Sequence, residues 1–308
     1  MAHDPEFQQL MKTGVGLVCD RLNQDLPRVA SNLQIWMKEL AGSNEPADYF
    51  LHAVAFPLML LPWWLERQFQ GHCDPALQTD LIFSNACMYY YVRMVDNVMD
   101  GHATVEPKLL PAAGYLVSQF EGIYRDYFET SHKFWDFFRQ TWAEFCDVTA
   151  ADGQLLDIDL GTFEGLVGHK VCAAKISVAA VCYLRGQADQ LEHWGQWIDT
   201  FGCWHLFRED LFDWQQDLDL GAVTYVLSEA KRRKNPGEAE ISWLARAGFD
   251  WGYDQMAGWM EKLRRMSVAS PEVLAYLDAR EAEVLNRKQR LRPALDFVQA
   301  LSRSRDNG

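Results

Sequence analysis

The sequence predicts an all-α protein built as a single helical domain. Long stretches have helical periodicity with few Gly or Pro, and strand-like alternation is scarce. The sequence has no evident internal repeat, and no segment of linker composition divides it into two domains. A length of 308 residues suits one large helical domain. Apolar residues make up 49% of the chain, so a folded core is expected rather than disorder.

Turn and breaker residues set the ends of the predicted helices. Gly101 follows one apolar run, Pro107 and Pro111 open the next, and the Asn-Pro-Gly sequence at 235–237 predicts a turn. A polar tail over 302–308 is expected to fray. The predicted helices cover 5–22, 26–41, 46–68, 76–101, 108–128, 132–148, 161–185, 188–218, 221–234, 239–266 and 271–304.

Charge, cysteine count and hydropathy exclude several classes of protein. The formal net charge of −14 argues against a nucleic-acid binder, although metal ions can bridge an acidic protein to a polyanion. Seven cysteines without a C-x-x-C pair predict a reducing compartment, no disulfide framework and no zinc site. The most apolar run, Phe50 to Leu65, is too short to span a membrane and contains Pro57 and Pro62, so it predicts a bent core helix. With no secretory signal evident, we expect a cytoplasmic protein without a membrane span.

A first pair of acids ends the predicted helix 76–101. Asp96 and Asp100 are four residues apart and therefore share one helical face, where they repel each other. The helix macrodipole also disfavours anions near a C-terminus, and a divalent cation would relieve both penalties. The alternative is a pair of solvated acids at an exposed helix end, against which the neighbouring Met94, Val95, Val98 and Met99 are apolar.

A second acid group lies on the predicted helix 188–218. Glu209, Asp213 and Asp217 are spaced four residues apart, Asp210 stands beside them, and Arg208 is the one adjacent cation in the sequence. Such a stripe of oxygen ligands suits Mg²⁺, which takes one or two carboxylates and completes its shell with water and phosphate oxygens. The alternative is an acidic, solvent-exposed helix face.

The two acid groups together predict more than either does alone. They lie more than 100 residues apart, on separate predicted helices. If those helices face each other, the acids surround a slot for a magnesium–diphosphate complex. The metal ions would then neutralise the leaving group as its carbon–oxygen bond breaks.

Over residues 76–230 the sequence resembles the class I isoprenoid synthase superfamily, and its trans-polyprenyl diphosphate synthase branch most closely. Residues 96–100 and 209–213 are similar to the two Asp-Asp-x-x-Asp motifs of that family, with Asn in the second position of the first and Glu in the first position of the second. Gly-His-Lys-Val at 168–171 matches the diphosphate-binding Lys-Thr pair without its Thr, and 217–224 matches Asp-Leu-x-x-Gly-Lys-x-Thr with Ala222 in the lysine position.

The resemblance implies a helical bundle with a central apolar cavity, two or three bound Mg²⁺ ions and a prenyl diphosphate substrate. A homodimer is a further expectation, since homodimers are common among such proteins. The metal ligands implied are Asp96, Asp100, Glu209, Asp210, Asp213 and Asp217, with Asp96, Asp100 and Asp213 as the catalytic residues. The diphosphate contacts implied are Lys170, Arg208 and Arg93. The residues expected to line the substrate cavity are Tyr89, Tyr90, Tyr91, Asn97, Trp204, Phe207 and Phe212.

Several subfamilies fit the same residues. Terpene cyclases use Asn-Asp-x-x-Ser-x-x-x-Glu, whose three ligand positions are Glu209, Asp213 and Asp217 here. Squalene and phytoene synthases, which condense two prenyl diphosphates head to head, use Asp-x-x-x-Asp twice, as at 96/100 and 213/217. A non-catalytic partner subunit of the same fold is a further alternative, although the acids in the metal positions remain acids.

Three cationic features of chain-elongating relatives are missing. Residues 43–48 are acidic where relatives have Gly-Gly-Lys-x-x-Arg-Pro, no Arg pair follows Asp100, and Ala222 replaces a lysine. A second diphosphate should therefore bind weakly. We expect a terpene synthase-like enzyme that ionises one linear prenyl diphosphate, with chain elongation as the alternative. In relatives, bulky residues just before the first motif shorten the pocket. Tyr90 and Tyr91 hold such positions here, so the resemblance implies a substrate of ~10–20 carbons.

Overall fold

The computed structural model describes residues 4–52, 55–99, 101 and 105–306, with side chains up to residue 295. The described residues form helices and connecting turns and no strand, which confirms the predicted all-α class. The α-helices in chain order are α1 (Pro5–Asp25), α2 (Ala30–Ala41), α3 (Asp48–Leu51), α4 (Leu60–Gln70), α5 (Pro75–Met99), α6 (Glu106–Gly122), α7 (Phe134–Asp152), α8 (Leu160–Gly165), α9 (Lys175–Leu184), α10 (Leu191–Leu220), α11 (Tyr225–Arg233), α12 (Glu240–Trp243), α13 (Phe249–Met266) and α14 (Pro271–Asp306). Short 3₁₀ segments lie at Ile123–Asp126, Val167–Ala174 and Ala188–Gln190, and a π-helical turn lies at Leu244–Gly248.

The chain forms two compact units. The first comprises Met1–Gln140 and Ala174–Leu191, and the second comprises Thr141–Ala173 and Glu192–Gly308. Each unit combines two separate stretches of chain, so the division does not correspond to two consecutive domains. The predicted single domain stays a prediction.

Helix α5 is the central element of the first unit, where it packs against α1 and α6. It begins after Asp74, whose carboxylate accepts hydrogen bonds from the backbone N–H groups of Ala76 and Leu77 at 3.0 and 3.3 Å. That N-cap satisfies donors that have no partner within the helix, and Pro75 suits the first helical position. Gly101 follows the helix in a left-handed conformation (φ 70°), which a glycine adopts without strain.

A buried ion pair joins three helices of the first unit. Glu66 on α4 is fully buried, yet its carboxylate accepts hydrogen bonds from Gln78 Nε2 at 2.7 Å and Arg185 Nε at 3.0 Å. Gln78 belongs to α5, and Arg185 directly follows α9. These donors compensate a carboxylate that has lost its hydration, so α4, α5 and α9 are fixed at one point.

Helix α10 is the central element of the second unit. Its first half packs through large aromatic side chains: Trp197 stacks on Phe201 with ring centroids 5.1 Å apart, and Trp197 Nε1 donates to Ser267 Oγ at 2.8 Å. Farther along, Phe207 is fully buried and packs against Trp259 of α13 at 5.3 Å. This packing fixes α10, and with it the acids on its second half.

The predicted continuous helix 46–68 is wrong. Helix α3 ends at Leu51 and α4 begins at Leu60. Pro57 disfavours helical backbone at Phe56, whereas Pro62 lies in the first turn of α4, where its missing N–H costs nothing. The apolar run from Phe50 is therefore interrupted rather than bent.

The predicted continuous helix 161–185 is also wrong. The chain forms α8, then the 3₁₀ segment Val167–Ala174, and then α9. Within the described residues, Leu160–Leu184 is the one helical stretch long and apolar enough to cross a membrane by length and composition, with a mean hydropathy of 1.4. Because 67% of that window is buried within the fold, a property shared with core helices of soluble proteins, it is weak support for a membrane span. All seven cysteines have free thiols.

The buried Glu66 predicts a large effect of removing its cationic partner. Arg185→Met should lower the free energy of unfolding by about 3–5 kcal/mol, because it leaves a buried carboxylate with its charge uncompensated. Urea denaturation at pH 7 measures the change. The matched control is Arg265→Met, which breaks the exposed pair with Glu261 and should change stability by less than about 1 kcal/mol. Equal losses in the two variants would contradict this account.

Candidate functional site

The first acid group lies near the end of α5. Asp96 is about a third exposed, and its Oδ2 lies 3.6 Å from Arg93 Nη1, one turn earlier on the same helix. Asp100 lies outside the described residues. Arg93 therefore neutralises Asp96, and the predicted contacts of both residues with metal and diphosphate stay predictions.

The side chain of Asn97 is hydrogen-bonded to the buried carboxylate of Glu106. Its Nδ2 donates to Glu106 Oε1 at 2.7 Å, and Trp36 Nε1 donates to the same oxygen at 3.0 Å. Burial alone would raise the pKa of Glu106, but the hydrogen bonds from Asn97, Trp36 and the backbone of Val105 outweigh it and lower that pKa to about 2. Asn at position 97 thus supplies a donor that an Asp would lack, and its predicted cavity contact stays a prediction.

The three consecutive tyrosines of α5 have different surroundings. Tyr90 is fully buried between Trp36 and Phe50, with ring centroids 5.9 and 5.8 Å away, so it belongs to the core of the first unit. Tyr89 is half-buried and its hydroxyl hydrogen-bonds to that of Tyr49 on α3; burial and this contact raise the pKa of Tyr89. Tyr91 is half-buried. The cavity roles predicted for Tyr89 and Tyr91 stay predictions.

The second acid group is divided between two faces of α10. Glu209 and Asp213, four residues apart, are 50% and 60% exposed. The Oε1 of Glu209 lies 3.6 Å from His205 Nε2 and 3.9 Å from Arg208 Nη1, and Asp213 Oδ1 lies 4.0 Å from Arg287 Nη2 of α14. This exposed pair is therefore flanked by cations on one side and open to water on the other.

Asp210 and Asp217 form the other face. They are seven residues apart, just under two helical turns, so they align more closely than Glu209 and Asp217 do. Burial, with the nearby Asp217, raises the pKa of Asp210 well above its usual range, and Asp152 contributes in the same direction. The predicted stripe of Glu209, Asp213 and Asp217 is thus corrected: Asp217 lies with Asp210.

Lys170 lies beside an acid that the sequence did not single out. Its Nζ donates to Asp152 Oδ2 at 2.7 Å, and the two side chains are 27% and 23% exposed. Asp152 is the last residue of α7, where the macrodipole disfavours a carboxylate, so the ammonium compensates an unfavourable position. The predicted helix 132–148 ends before Asp152, so the sequence carried no signal for this partner.

A close backbone approach holds the Lys170 segment against α10. A Cβ at Gly202 would lie 2.4 Å from the carbonyl oxygen of Gly168, and a Cβ at Gly168 would lie 2.3 Å from Cys203 Sγ. No side chain fits at either position, so the segment Val167–Ala174 packs on α10 through backbone. This packing accounts for the 3₁₀ segment where one continuous helix was predicted.

Arg208 joins α10 to α14. It is 6% exposed, and its Nε lies 3.4 Å from Glu283 Oε2. Burial, with Arg280 and Arg208 nearby, lowers the pKa of the adjacent His205 to about 3, which keeps that ring neutral. In this arrangement Arg208 is a structural anchor, and its predicted contact with diphosphate stays a prediction.

The predicted cavity aromatics of α10 lie mainly in the core. Trp204 and Phe207 are 1% and 0% exposed, and the Arg280 guanidinium lies 5.2 Å from the centre of the Trp204 ring. Phe212 is half-buried beneath the Arg287 guanidinium, 3.9 Å from its ring centre. Phe212 is therefore the one of these three that remains partly open to solvent.

The donor set fits Mg²⁺ in its chemistry. Across the described ranges, no three His, Cys, Asp or Glu side chains come together into a cation-binding group. Carboxylates in pairs are nevertheless what Mg²⁺ uses, because it retains water and phosphate ligands rather than an all-protein cage. The exposed Glu209 and Asp213 supply hard oxygen donors of this kind, and the metal site stays a prediction.

Comparisons with known proteins identify the fold. No protein-family model and no curated protein matches the sequence. Among solved structures, the chain is similar to the geranylgeranyl pyrophosphate synthetase from the archaeon Geoglobus acetivorans, with a TM-score of 0.64 and 15% sequence identity. The similarity covers 96% of this chain and 99% of that chain. The chain therefore shares its fold with that protein, as the resemblance stated for its sequence implied.

Because Gly202 contacts the backbone of Gly168, adding a single methyl group at Gly202 should lower the stability of the protein. Gly202→Ala should destabilise the protein by about 2 kcal/mol or more, because the new Cβ collides with backbone rather than with a movable side-chain end. Gly258→Ala in α13 is the control: nothing lies within 4 Å of its Cβ, so stability should be unchanged or rise by up to about 1 kcal/mol. Thermal unfolding of both variants measures the change in stability. A Gly202→Ala variant as stable as the wild type would refute the close backbone approach.

The environment of Asn97 predicts that restoring the Asp of the family motif is harmful. Asn97→Asp replaces a hydrogen-bond donor by a second carboxylate beside Glu106, which should cost about 2 kcal/mol at pH 7. Glu106 has a depressed pKa, so its stabilisation is present above its ordinary value of 4.5 and is lost as the pH falls towards about 2. The deficit of Asn97→Asp should instead shrink between pH 7 and pH 3, as one carboxyl takes up a proton.

The control for Asn97→Asp adds Glu106→Gln, which returns one donor and one acceptor to the contact. The double variant should recover most of the lost stability in urea denaturation at pH 7. A double variant that is less stable than Asn97→Asp would show that Asn97 and Glu106 do not act as a pair.

Proposed function

We propose that this chain is a Mg²⁺-dependent enzyme that ionises one short linear prenyl diphosphate, releasing diphosphate and giving a terpene. The observation that carries the proposal is the exposed carboxylate pair Glu209 and Asp213, on the long central helix of a chain with the isoprenoid synthase fold. The proposal further requires Asp96 and Asp100 to share the cations, as predicted from the sequence.

Each side chain has a distinct part in the proposed reaction. Bound Mg²⁺ supplies positive charge that stabilises the departing diphosphate. Glu209 and Asp213 accept the metal, and their exposure leaves room for water and phosphate oxygens. Asp210, with its raised pKa, retains a proton more readily than an ordinary carboxyl group, which limits its repulsion with Asp217. Lys170 donates N–H groups to the diphosphate.

The loss of cations supports ionisation over chain elongation. Position 222 is Ala, and residues 43–48 carry acids, so two of the places where elongating relatives have Lys or Arg are without positive charge. A second diphosphate would bring further negative charge without a matching cation. Chain elongation is the second candidate, favoured by the similarity to a geranylgeranyl pyrophosphate synthetase.

Diphosphate release separates these functions. Geranyl, farnesyl and geranylgeranyl diphosphate should each be assayed with and without Mg²⁺, alone and with isopentenyl diphosphate. Mg²⁺-dependent release from one substrate alone supports the proposal, provided that mass spectrometry finds a terpene hydrocarbon or alcohol rather than a head-to-head product. Release only with isopentenyl diphosphate supports elongation, and no release from any of them supports a partner subunit.

The exposed pair predicts the effect of removing one metal ligand. Asp213→Ala should lower kcat/KM for diphosphate release at least about 100-fold, since losing one charge-stabilising group at a reacting centre costs ~2.7 kcal/mol. The matched control is Asp219→Ala, an exposed acid on the same helix, which should retain activity within about threefold. If the two variants lose activity equally, net charge rather than a ligand role is responsible.

A further inference from the structure

Two consecutive residues of the 3₁₀ segment Val167–Ala174 are held by acids of α7. His169 Nδ1 lies 2.8 Å from Glu144 Oε1, and Lys170 Nζ lies 2.7 Å from Asp152 Oδ2. The contact of Lys170 with Asp152 is the more buried of the two, since both side chains are about three-quarters covered. A charge-assisted hydrogen bond of this length, partly shielded from water, is stronger than an exposed surface pair.

A backbone contact anchors the segment that carries Lys170. The Gly168–Gly202 contact fixes the backbone of the Lys170 segment against α10 two residues away. Backbone packing thus fixes the main chain at Lys170, and the hydrogen bond to Asp152 fixes the position of its ammonium group.

We infer that Asp152 is a positioning residue, which holds the ammonium group of Lys170 in place for a diphosphate. A lysine side chain has four rotatable bonds, and ordering it on binding costs up to ~2 kcal/mol. The hydrogen bond to Asp152 orders the lysine side chain in the free protein, so this entropy is not lost when the ligand binds. An ammonium has three N–H groups, so a bond to Asp152 leaves its chemistry compatible with donation to phosphate oxygens.

The inference rests on the proposed function and differs from a simple charge effect. If Asp152 acted only through its negative charge, removing it would strengthen the binding of any polyanion. If it acts through Lys170, removing it weakens binding and does so only while Lys170 is present. These opposite signs make a double-mutant cycle decisive.

The first measurement is calorimetric binding of inorganic diphosphate with Mg²⁺ to the full chain. Asp152→Asn should raise the Kd about tenfold, which corresponds to ~1.4 kcal/mol. In a Lys170→Met background the same substitution should change the Kd by less than about twofold, within the error of additivity. Asp152→Glu, which keeps the carboxylate, should recover most of the affinity.

The control for loss of charge is Asp147→Asn, an exposed acid on α7, which should leave the Kd within about twofold of wild type. Tighter binding by Asp152→Asn, or equal weakening in both Lys170 backgrounds, overturns the inference. Thermal unfolding of every variant separates loss of fold from loss of binding.

The second measurement needs no ligand. Acylation of Lys170 by a soluble amine-reactive ester, followed by mass spectrometry with the exposed Lys12 as internal reference, should be at least about fivefold faster in Asp152→Asn, since the ion pair shields the amine. Failure of wild type to bind diphosphate refutes the proposed function, whereas unchanged acylation in Asp152→Asn refutes the positioning role. The two failures are therefore distinguishable.

Discussion

The backbone approach of Gly168 to Gly202 is the constraint on which the chemistry of the second unit depends. It leaves no room for a Cβ on either residue, so the segment Val167–Ala174 lies directly on α10. A continuous α-helix from Leu160 would carry this stretch in another geometry, and the chain instead forms a 3₁₀ segment. Lys170 begins two residues after the contact and reaches Asp152. One backbone contact thus fixes the segment from which Lys170 extends to Asp152.

The acids of α10 lie in two different environments on the same helix. Glu209 and Asp213 are half or more exposed and are flanked by arginines at 3.9 and 4.0 Å, whereas Asp210 and Asp217 are half-buried and repel each other. An exposed carboxylate keeps its hydration and can exchange water for a metal ion at little cost. A half-buried one has already lost part of its hydration and holds a proton more readily. The first environment suits metal binding, and the second suits hydrogen bonding.

Periodicity predicted most of the helices and both acid groups, because these depend on residues near one another in the sequence. The failures have two origins, tertiary packing and helix geometry. Nothing local in 161–185 shows that Gly168 must meet another backbone, and the i, i+4, i+8 stripe ignored the drift of a 3.6-residue turn, which pairs Asp217 with Asp210 instead. The roles of Asp152 and Glu106 depend on partners 18 and 9 residues away. Such partners become visible only once the helices are packed.

The loop after α10 matches the sequence pattern of a diphosphate motif except for its lysine. Gly221 adopts a left-handed conformation (φ 70°), and Thr224 Oγ1 accepts a hydrogen bond from the backbone N–H of Leu227 at 3.3 Å, capping α11. Gly221 and Thr224 therefore each have a structural role that does not depend on a ligand. Ala222, in the lysine position between them, has an uncharged side chain. The uncharged loop thus favours a reaction with one diphosphate over a reaction with two.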